Sequence, residues 1–424
     1  MKETPHYAEY LQILREELIP AMGCTEPISI ALAAAMARKT LGALPDRGRL
    51  EVSGNIIKNV KSVVVPSTGG QKGLEAAVAA GIVAGREDLE LEVLSRITPE
   101  QTGEIAAFRK SFPLEIVPSA NGKIFYIHVT LEREGHSASC EITDFHTNVT
   151  LLERDGQVLL QGGDGDRRAE TDHSVLSVEE IIAFADSVDL KDIRDTIDRQ
   201  IEYNTAISRE GLSGHWGAEV GKTILNMHGE GDLAARACAA ASAGSDARMS
   251  GCDKPVVIVS GSGNQGMTAS LPVIEYARAM NAGEELLLRA LVVADLITIH
   301  QKTPIGRLSA FCGAVSAGCG AAAGIAYLYG GRYDEVAHTI ANTLAICSGM
   351  ICDGAKPSCA AKIASAVNAG LMGYQMYLNG HHEFLGGEGI IKKGVENTID
   401  SVGRLARCGM KQTDSEILNI MVGK

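Results

Sequence analysis

The chain has 424 residues and a formal net charge of −13, and aromatic residues make up only 4% of it. An acidic chain with few aromatic side chains to stack on bases is not expected to bind nucleic acid. Its length exceeds the size at which a single core keeps growing, so the sequence predicts more than one domain.

The cellular location can also be predicted from the sequence. No run of 18 or more apolar residues occurs and the first ten residues carry no apolar segment, so we expect neither a membrane span nor a secretory signal. Ten scattered cysteines fit a reducing compartment better than a disulfide framework. These features predict a cytoplasmic protein that binds no membrane, with a homo-oligomer as an open alternative.

The first predicted helix covers residues 7–19, where apolar side chains recur at helical spacing up to a proline. In the segment AMGCTEP that follows, Gly23 interrupts the chain, Thr25 can cap a helix and Pro27 suits a first helical turn. Cys24 is therefore expected just before a helix N-terminus, a position that lowers a thiol pKa and makes the thiol usable as a base or nucleophile. A capping-region thiol without chemistry is the alternative.

The pattern then changes to that of a small α/β unit. Residues 50–70 alternate like a strand that ends in a glycine-rich turn, residues 75–85 are predicted as a helix, and residues 123–161 as three antiparallel strands. A polar tract ends this unit near Asp172. His146, in the sequence DFHTN, could reach a cleft, although a single histidine on a strand is more often a surface or core residue.

Beyond Val175 the sequence is predicted to be nearly all helical, as in a helix bundle. The segments together predict an α+β fold, in which a large helical-bundle catalytic domain carries a smaller α/β domain inserted near the N-terminus. We assign residues 1–45 and 173–424 to the helical domain and residues 46–172 to the α/β domain.

Residues 256–280 contain a strand-like run, three glycines in a G-x-G-x-x-G spacing and a predicted helix. A dinucleotide-binding fingerprint has this appearance, with an acidic residue about 20 positions on. No second strand follows, so we prefer a glycine-rich loop that opens a helix and binds an anion through its free N–H groups. Ser262 and Asn264 are the predicted donors to a substrate carboxylate, and a tight turn without a ligand is the alternative.

Several other polar residues are candidates for the same site. Arg248 and Arg307 could clamp a carboxylate, because a guanidinium matches a carboxylate bidentately, although ion pairing with neighbouring acids explains them equally well. His215, His300 and Lys356 each lie inside or beside a motif and could serve either a site or the scaffold.

Three cysteines in the last third of the chain suggest a metal centre. Cys312 lies 40 positions before Cys352, which lies 7 before Cys359, so folding would have to close the site. Thiolates suit zinc, copper or an iron-sulfur cluster, but the close pairs typical of structural zinc are absent, which favours iron-sulfur ligation. Residues 353–358 have turn chemistry, so Cys359 is expected at a helix N-terminus, where the dipole favours a thiolate. Ordinary buried thiols are the alternative.

The six other cysteines outside Cys24 and this set are predicted to be packing thiols: Cys140, Cys238, Cys252, Cys319, Cys347 and Cys408. Cys319 is the nearest rival for a ligand position, because it lies two helical turns after Cys312 on the same predicted face.

Seven stretches spread along nearly the whole chain match motifs of a known family. They are residues 23–35 (GCTEPISIALAAA), 210–217, 245–251, 260–272, 307–313, 348–359 (SGMICDGAKPSC) and 410–414. In these stretches the chain resembles the L-cysteine desulfidase family and, more distantly, the alpha chain of iron-sulfur L-serine dehydratases.

The resemblance implies a site and a reaction. Cys312, Cys352 and Cys359 would hold a [4Fe-4S] cluster and Cys24 would be the proton acceptor, without pyridoxal phosphate. The reaction would be β-elimination of L-cysteine to pyruvate, ammonia and hydrogen sulfide. Of the polar candidates above, Ser262, Asn264 and Arg307 are the predicted substrate-binding residues. An L-serine ammonia-lyase that uses the same site and a non-catalytic iron-sulfur sensor are the alternatives.

Overall fold

The computed structural model of the protein describes residues 5–162, 171–380 and 387–423. Residues 163–170, which belong to the predicted polar tract, lie outside these ranges. The described chain forms a large helical bundle and a separate six-stranded sheet, which confirms the predicted α+β class.

The helices are α1 (Tyr7–Glu17), α2 (Thr25–Leu41), α3 (Gly54–Val60), α4 (Leu74–Ala84), α5 (Pro99–Ser111), α6 (Val178–Ser187), α7 (Leu190–Ser213), α8 (Val220–His228), α9 (Leu233–Met249), α10 (Gly263–Ala279), α11 (Glu284–Ile305), α12 (Gly313–Leu328), α13 (Tyr333–Cys347), α14 (Cys359–Leu378), α15 (Val395–Arg404) and α16 (Lys411–Val422). The strands are β1 (Pro20–Met22), β2 (Arg47–Val52), β3 (Leu114–Pro118), β4 (Tyr126–Arg133), β5 (His136–Thr143), β6 (Val149–Arg154), β7 (Gln157–Gln161) and β8 (Pro255–Val257).

The larger sheet has the strand order β3-β2-β4-β5-β6-β7, with β2 and β3 parallel and all other neighbours antiparallel. The prediction of three strands over residues 123–161 is wrong, because four form there. The predicted strand over residues 50–70 is also wrong beyond Val52. Ile56, Ile57 and Val60 recur there at helical spacing and bury one face of α3.

Helix α2 lies against the sheet, where it contacts β4 and β5, and it also packs closely on α4. A Cβ at Gly81 of α4 would lie only 2.2 Å from the Ala31 carbonyl oxygen, so the two helices approach at backbone distance. Helix α1 instead contacts α7 and α11 of the bundle. The division of the chain at residues 45 and 172 stays a prediction.

The bundle is built around α11, α12 and α14, whose small residues allow close packing. The helical region predicted beyond Val175 is interrupted between α6 and α7, where Asp189 caps the start of α7 by accepting a hydrogen bond from the Lys191 amide. No helix within the described ranges combines the length and apolar character needed to span a bilayer.

Strand β8, which precedes the G-x-G-x-x-G segment, is only three residues long and pairs antiparallel with β1. This geometry is not that of a dinucleotide-binding β-α-β unit. The last glycine of the segment, Gly266, has a packing role, because a Cβ there would lie 2.0 Å from the carbonyl oxygen of Val257 in β8.

We expect Gly266→Ala to lower the free energy of unfolding by about 1–3 kcal/mol, because α10 must move away from β8 to admit the methyl group. Gly103→Ala is the matched control: Gly103 is exposed within α5 and a Cβ there meets no atom within 4 Å. That change should be neutral or mildly stabilising. Denaturant unfolding of both variants tests the close approach, and equal stabilities would contradict it.

Candidate functional site

One cavity of about 100 Å³ is lined by all seven residues predicted from the sequence to form a site. They are Cys24, Ser262, Asn264, Arg307, Cys312, Cys352 and Cys359. The lining also includes six polar residues that the sequence analysis did not assign to the site or left open: Glu26, Asn59, Arg248, Gln265, Lys302 and Ser309. The fold thus gathers residues from the first 60 positions and from the helical bundle.

Four helices begin at this cavity. Cys24, Ser262 and Cys312 are the N-cap residues of α2, α10 and α12, and Cys359 is the first residue of α14. A helix N-terminus carries a partial positive charge and unpaired N–H groups, so each of the four favours an anion in the cavity. The expected positions of Cys24 and Cys359 at helix starts are confirmed.

Two backbone hydrogen bonds hold Cys312 and Cys352 side by side. The Cys312 amide donates to the Met350 carbonyl at 3.0 Å, and the Cys352 amide donates to the Ala310 carbonyl at 2.7 Å. A hydrogen bond between the two thiols lowers the pKa of Cys352 and raises the pKa of Cys312. One member of the pair is therefore set up to be a thiolate.

The loop between Cys352 and Cys359 is fixed by its own contacts. Gly354 has a φ of +95°, and a Cβ there would lie 2.4 Å from the Lys58 carbonyl oxygen, so the loop packs directly on the end of α3. Lys356 donates to Asp353 at 2.7 Å within the loop. Lys356 therefore belongs to the scaffold that presents Cys359.

Cys24 is hydrogen-bonded to a carboxylate. Its thiol donates to Glu26 Oε2 at 3.0 Å, and Asn59 Nδ2 holds the other carboxylate oxygen at 2.9 Å. The predicted cap, Thr25, instead donates to the Gly261 carbonyl at 2.9 Å and so ties the start of α2 to the glycine-rich loop. Capping by Thr25 was therefore a wrong prediction.

The thiol pKa also differs from the expectation. Burial, followed by the charge of Glu26, raises the pKa of Cys24 well above its ordinary value, so the predicted lowering is wrong. Burial opposes ionisation of Glu26 too, but the nearby His146, the hydrogen bond from the Cys24 thiol and the charge of Arg248 bring the Glu26 pKa below its ordinary value. Near neutral pH this pair is thus a thiol beside a carboxylate, and Glu26 is the group that can accept the thiol proton.

His146 lies next to this pair but does not line the cavity. Its ring is buried, with its centroid 4.8 Å from that of Phe125, and burial lowers its pKa to about 4. It is therefore neutral at pH 7. A Cβ at Gly261 would lie 2.9 Å from the imidazole, so the glycine leaves room for it.

The two arginines differ in what they bind. Arg307 donates to Glu17 at 2.8 Å, whereas Arg248 donates only through Nη1, to Asn264 at 3.1 Å. Arg248 is 2% exposed, and its Nε and Nη2 have no hydrogen-bond partner among the described residues. A Cβ at Gly263 would lie 2.5 Å from Arg248 Nε, so only glycine leaves space for this guanidinium. Arg248 is the better candidate for binding a carboxylate.

Cations outnumber carboxylates in the described lining. Arg248, Lys302 and Arg307 face the cavity together with one carboxylate, that of Glu26. Burial lowers the pKa of Lys302 to about 8. A larger cavity of about 470 Å³ adjoins the first and shares Lys302, Arg307 and Leu308 with it.

The remaining sequence candidates lie elsewhere. His215 is exposed and contacts Glu219 at 2.7 Å, and His300 contacts Glu396 at 2.6 Å. The Cys319 thiol is buried in the bundle, where it donates to the Ile340 carbonyl, and it does not line the cavity. These three residues are not part of the gathered set.

All ten cysteines are free thiols. Four of the six predicted packing thiols are buried and Cys347 is partly buried, but Cys408 is exposed, so the prediction is wrong for that residue.

The chemistry of the residues that line the cavity fits a [4Fe-4S] cluster. Within the described ranges no three His, Cys, Asp or Glu side chains come close enough to hold one metal ion. A cubane cluster does not require this, since each thiolate binds a different iron. Three thiols, four helix N-termini and an excess of cations suit a cluster whose thiolate complex is negatively charged.

Comparison with known sequences gives the family. The sequence model described as serine dehydratase alpha chain matches residues 88–419. The chain belongs to the serine dehydratase alpha-chain family. The part matched to this family contains Arg248, Lys302 and the three-cysteine set, whereas Cys24 and Glu26 precede it.

Full-length relatives carry the name UPF0597 protein. One from Desulfitobacterium hafniense is 55% identical, and the match covers 100% of this chain and 98% of the relative. Another from Fusobacterium nucleatum is 46% identical, with 97% and 98% covered, and one from Treponema denticola is 44% identical, with 98% of each chain covered. The α2 segment that carries Cys24 is therefore present within the matched length of these relatives.

Proposed function

We propose that the protein is an iron-sulfur-dependent L-cysteine desulfidase, which eliminates hydrogen sulfide from L-cysteine and yields pyruvate and ammonia. The observation that carries this proposal is that three thiols, a thiol–carboxylate pair and an open guanidinium face one small cavity. β-Elimination from an amino acid needs a site for the leaving group, a base for the Cα proton and an anchor for the carboxylate.

Substrate binding is assigned to Arg248 and the start of α10. The two unpartnered nitrogens of Arg248 can donate to both carboxylate oxygens, and Asn264 holds the guanidinium in place. Ser262, as the N-cap of α10, presents the free amides of that helix to the same anion. Arg307 remains a proposed substrate contact, at the side of the cavity where it pairs with Glu17.

Proton abstraction is assigned to Cys24 with Glu26. Glu26 takes the thiol proton across the 3.0 Å hydrogen bond, and the resulting thiolate removes the Cα proton of the substrate. The electron pair of the Cα–H bond forms the Cα=Cβ bond, and the pair of the Cβ–S bond leaves with sulfur. The aminoacrylate product rearranges to an imine, which water hydrolyses to pyruvate and ammonia.

Cys312, Cys352 and Cys359 are the residues that would hold a [4Fe-4S] cluster. When bound, the cluster supplies a Lewis acid for the leaving group, so pyridoxal phosphate is not needed. A cytoplasmic location, which ten unpaired cysteines support, and a homo-oligomeric state stay predictions.

L-Serine ammonia-lyase activity at the same site is the second candidate, and the match to the serine dehydratase alpha chain favours it. Anaerobic assays of pyruvate and sulfide from L-cysteine and of pyruvate from L-serine compare the two. We expect a higher kcat/KM for L-cysteine, with sulfide and pyruvate formed in equal amounts. A higher value for L-serine would assign the dehydratase, and iron-loaded protein inactive on both would favour the sensor.

We expect Arg248→Met to lower kcat/KM for L-cysteine by about 100-fold, because two charged hydrogen bonds to a carboxylate contribute about 3 kcal/mol together. The melting temperature of ligand-free protein should not fall, because the guanidinium is buried with two unpaired nitrogens. Arg278→Met, which removes an exposed arginine of α10 paired with Glu275, is the control and should leave kcat/KM unchanged. An unchanged kcat/KM in Arg248→Met would contradict the assignment.

A further inference from the structure

Lys302 is a buried cation that no neighbour in the described part of the chain neutralises directly. It lies in the last turn of α11, is 4% exposed, and makes no hydrogen bond or ion pair with any residue in the described ranges. Buried ammonium groups are normally paired, because burying an unpaired charge is costly. Its three N–H groups are therefore available to something that enters the cavity.

Lys302 lies toward one side of the cavity. The acidic groups whose charges act on it are the thiols of Cys352 and Cys312 and the carboxylate of Glu17. The charges that act on Cys24 are those of Glu26 and Arg248. Cys24, Glu26 and Arg248 line only the smaller cavity, whereas Lys302 lies where that cavity meets the larger one, and the thiols of Cys312 and Cys352 are the acidic groups that act on it most strongly.

This arrangement of the base and the ammonium group suits a β-elimination. The Cα proton leaves toward a base, while the Cβ substituent leaves as an anion on the side where the three-cysteine set lies. Lys302 also lines the larger cavity together with Thr303 and His173, so its ammonium opens onto a path for water and for a small departing product. A proton donor at this junction can be used and then reprotonated from that side.

We propose that Lys302 is the acid that donates its proton to the leaving atom as the Cβ bond breaks. The inference rests on the proposed β-elimination. The electron pair of the Cβ–S or Cβ–O bond moves to sulfur or oxygen, and the Lys302 N–H proton follows to give hydrogen sulfide or water. The neutral amine then regains a proton from water in the larger cavity, and the Cα proton is released from the Cys24–Glu26 pair, so protons balance over one turnover.

The competing role for Lys302 is to bind the substrate carboxylate. The two roles separate by leaving group: a carboxylate contact matters equally for every amino acid, whereas an acid matters most for the most basic leaving group. Hydroxide is the most basic leaving group and depends most on protonation. Hydrosulfide depends on protonation less, and chloride does not depend on it. L-Serine, L-cysteine and β-chloro-L-alanine therefore form a graded series with the same carboxylate.

The test is Lys302→Met, which keeps the apolar length of the side chain and removes only the ammonium. We expect kcat on L-serine to fall by about 100-fold or more, since a general acid contributes 10²–10⁴-fold. The loss should be smaller on L-cysteine and absent on β-chloro-L-alanine, and any two of the three substrates suffice for the comparison. Equal losses on all substrates, or losses confined to KM, would overturn the proposal.

Iron content, acid-labile sulfide and the visible spectrum of the variant provide the readout that is independent of turnover. We expect all three to match those of the wild type, because Lys302 is not a ligand; loss of iron would instead make it a residue that supports the cluster and would overturn the acid role. Lys302→Ala provides a second variant, and added ethylamine should restore part of its activity on L-serine. Wild-type protein that eliminates nothing from any of the three substrates would refute the proposed function itself, which is a distinct outcome.

Discussion

Cys352→Ser protein, purified without oxygen, will contain neither the iron nor the acid-labile sulfide of the wild type and will not form pyruvate from L-cysteine. Cys352 lies at the centre of the three-cysteine set: its amide is fixed by Ala310, and its thiol is paired with that of Cys312. A serine hydroxyl has nearly the same shape but does not supply a soft thiolate to iron. Iron and sulfide analysis, with the visible absorption spectrum, measures the change.

Cys347→Ser is the matched control for this experiment. Cys347 ends α13, only five residues before Cys352, is partly buried and does not line the cavity. Its replacement should leave iron content and activity unchanged. Retention of iron in Cys352→Ser, or its loss in Cys347→Ser, would mean that a different set of thiols holds the metal.

Cys24→Ala will keep the cluster and lose the reaction. We expect iron, sulfide and colour to equal those of the wild type, while kcat on L-cysteine falls by about 10²–10⁴-fold, the usual contribution of a positioned base. The physical reason is that the thiol is hydrogen-bonded to Glu26 and is not part of the pair formed by Cys312 and Cys352.

Two further variants test whether the lost activity reflects the acidity of the Cys24 thiol and its proton transfer to Glu26, and not a change in side-chain shape. Cys24→Ser can still donate a hydrogen bond to Glu26 but is a far weaker acid, so its activity should fall with that of Cys24→Ala. Glu26→Gln removes the acceptor of the thiol proton and should lose activity with its iron retained. Exchange of the substrate Cα proton with deuterated solvent, followed by NMR, should stop in all three. A Cys24→Ala protein without iron would make Cys24 a ligand and contradict its role as a base.

The positions of the key thiols could be predicted because local sequence fixes them. Cys24 follows a glycine and precedes a helix-forming run, and Cys359 follows the turn sequence DGAKPS, so both are at helix starts in the structure. The G-x-G-x-x-G spacing was open to two interpretations. Glycine is needed at positions 263 and 266 because Arg248 and the β8 backbone lie against Gly263 and Gly266. This requirement comes from tertiary packing, so the local sequence pattern does not reveal it.

The polar residues around the thiols were harder to predict, since packing brings them in from distant segments. Asn59 reaches Glu26 from α3, a helix that the alternating sequence had indicated as a strand. The pKa of Cys24 was wrongly predicted because burial and the charge of Glu26 outweigh the helix dipole. Lys302 could have been identified from the sequence. It follows Asp295 and Ile299 at helical spacing on the same buried face of α11, where an apolar residue is expected.

The most direct test of the account is the dependence of L-cysteine turnover on bound iron in a single preparation. Anaerobically purified protein is assayed for pyruvate and sulfide, then stripped of iron with a chelator, and then reconstituted with ferrous iron and sulfide. The account predicts that activity disappears with the iron and returns in proportion to the iron rebound, with pyruvate and sulfide formed in equal amounts. Full activity in the iron-free protein would contradict it.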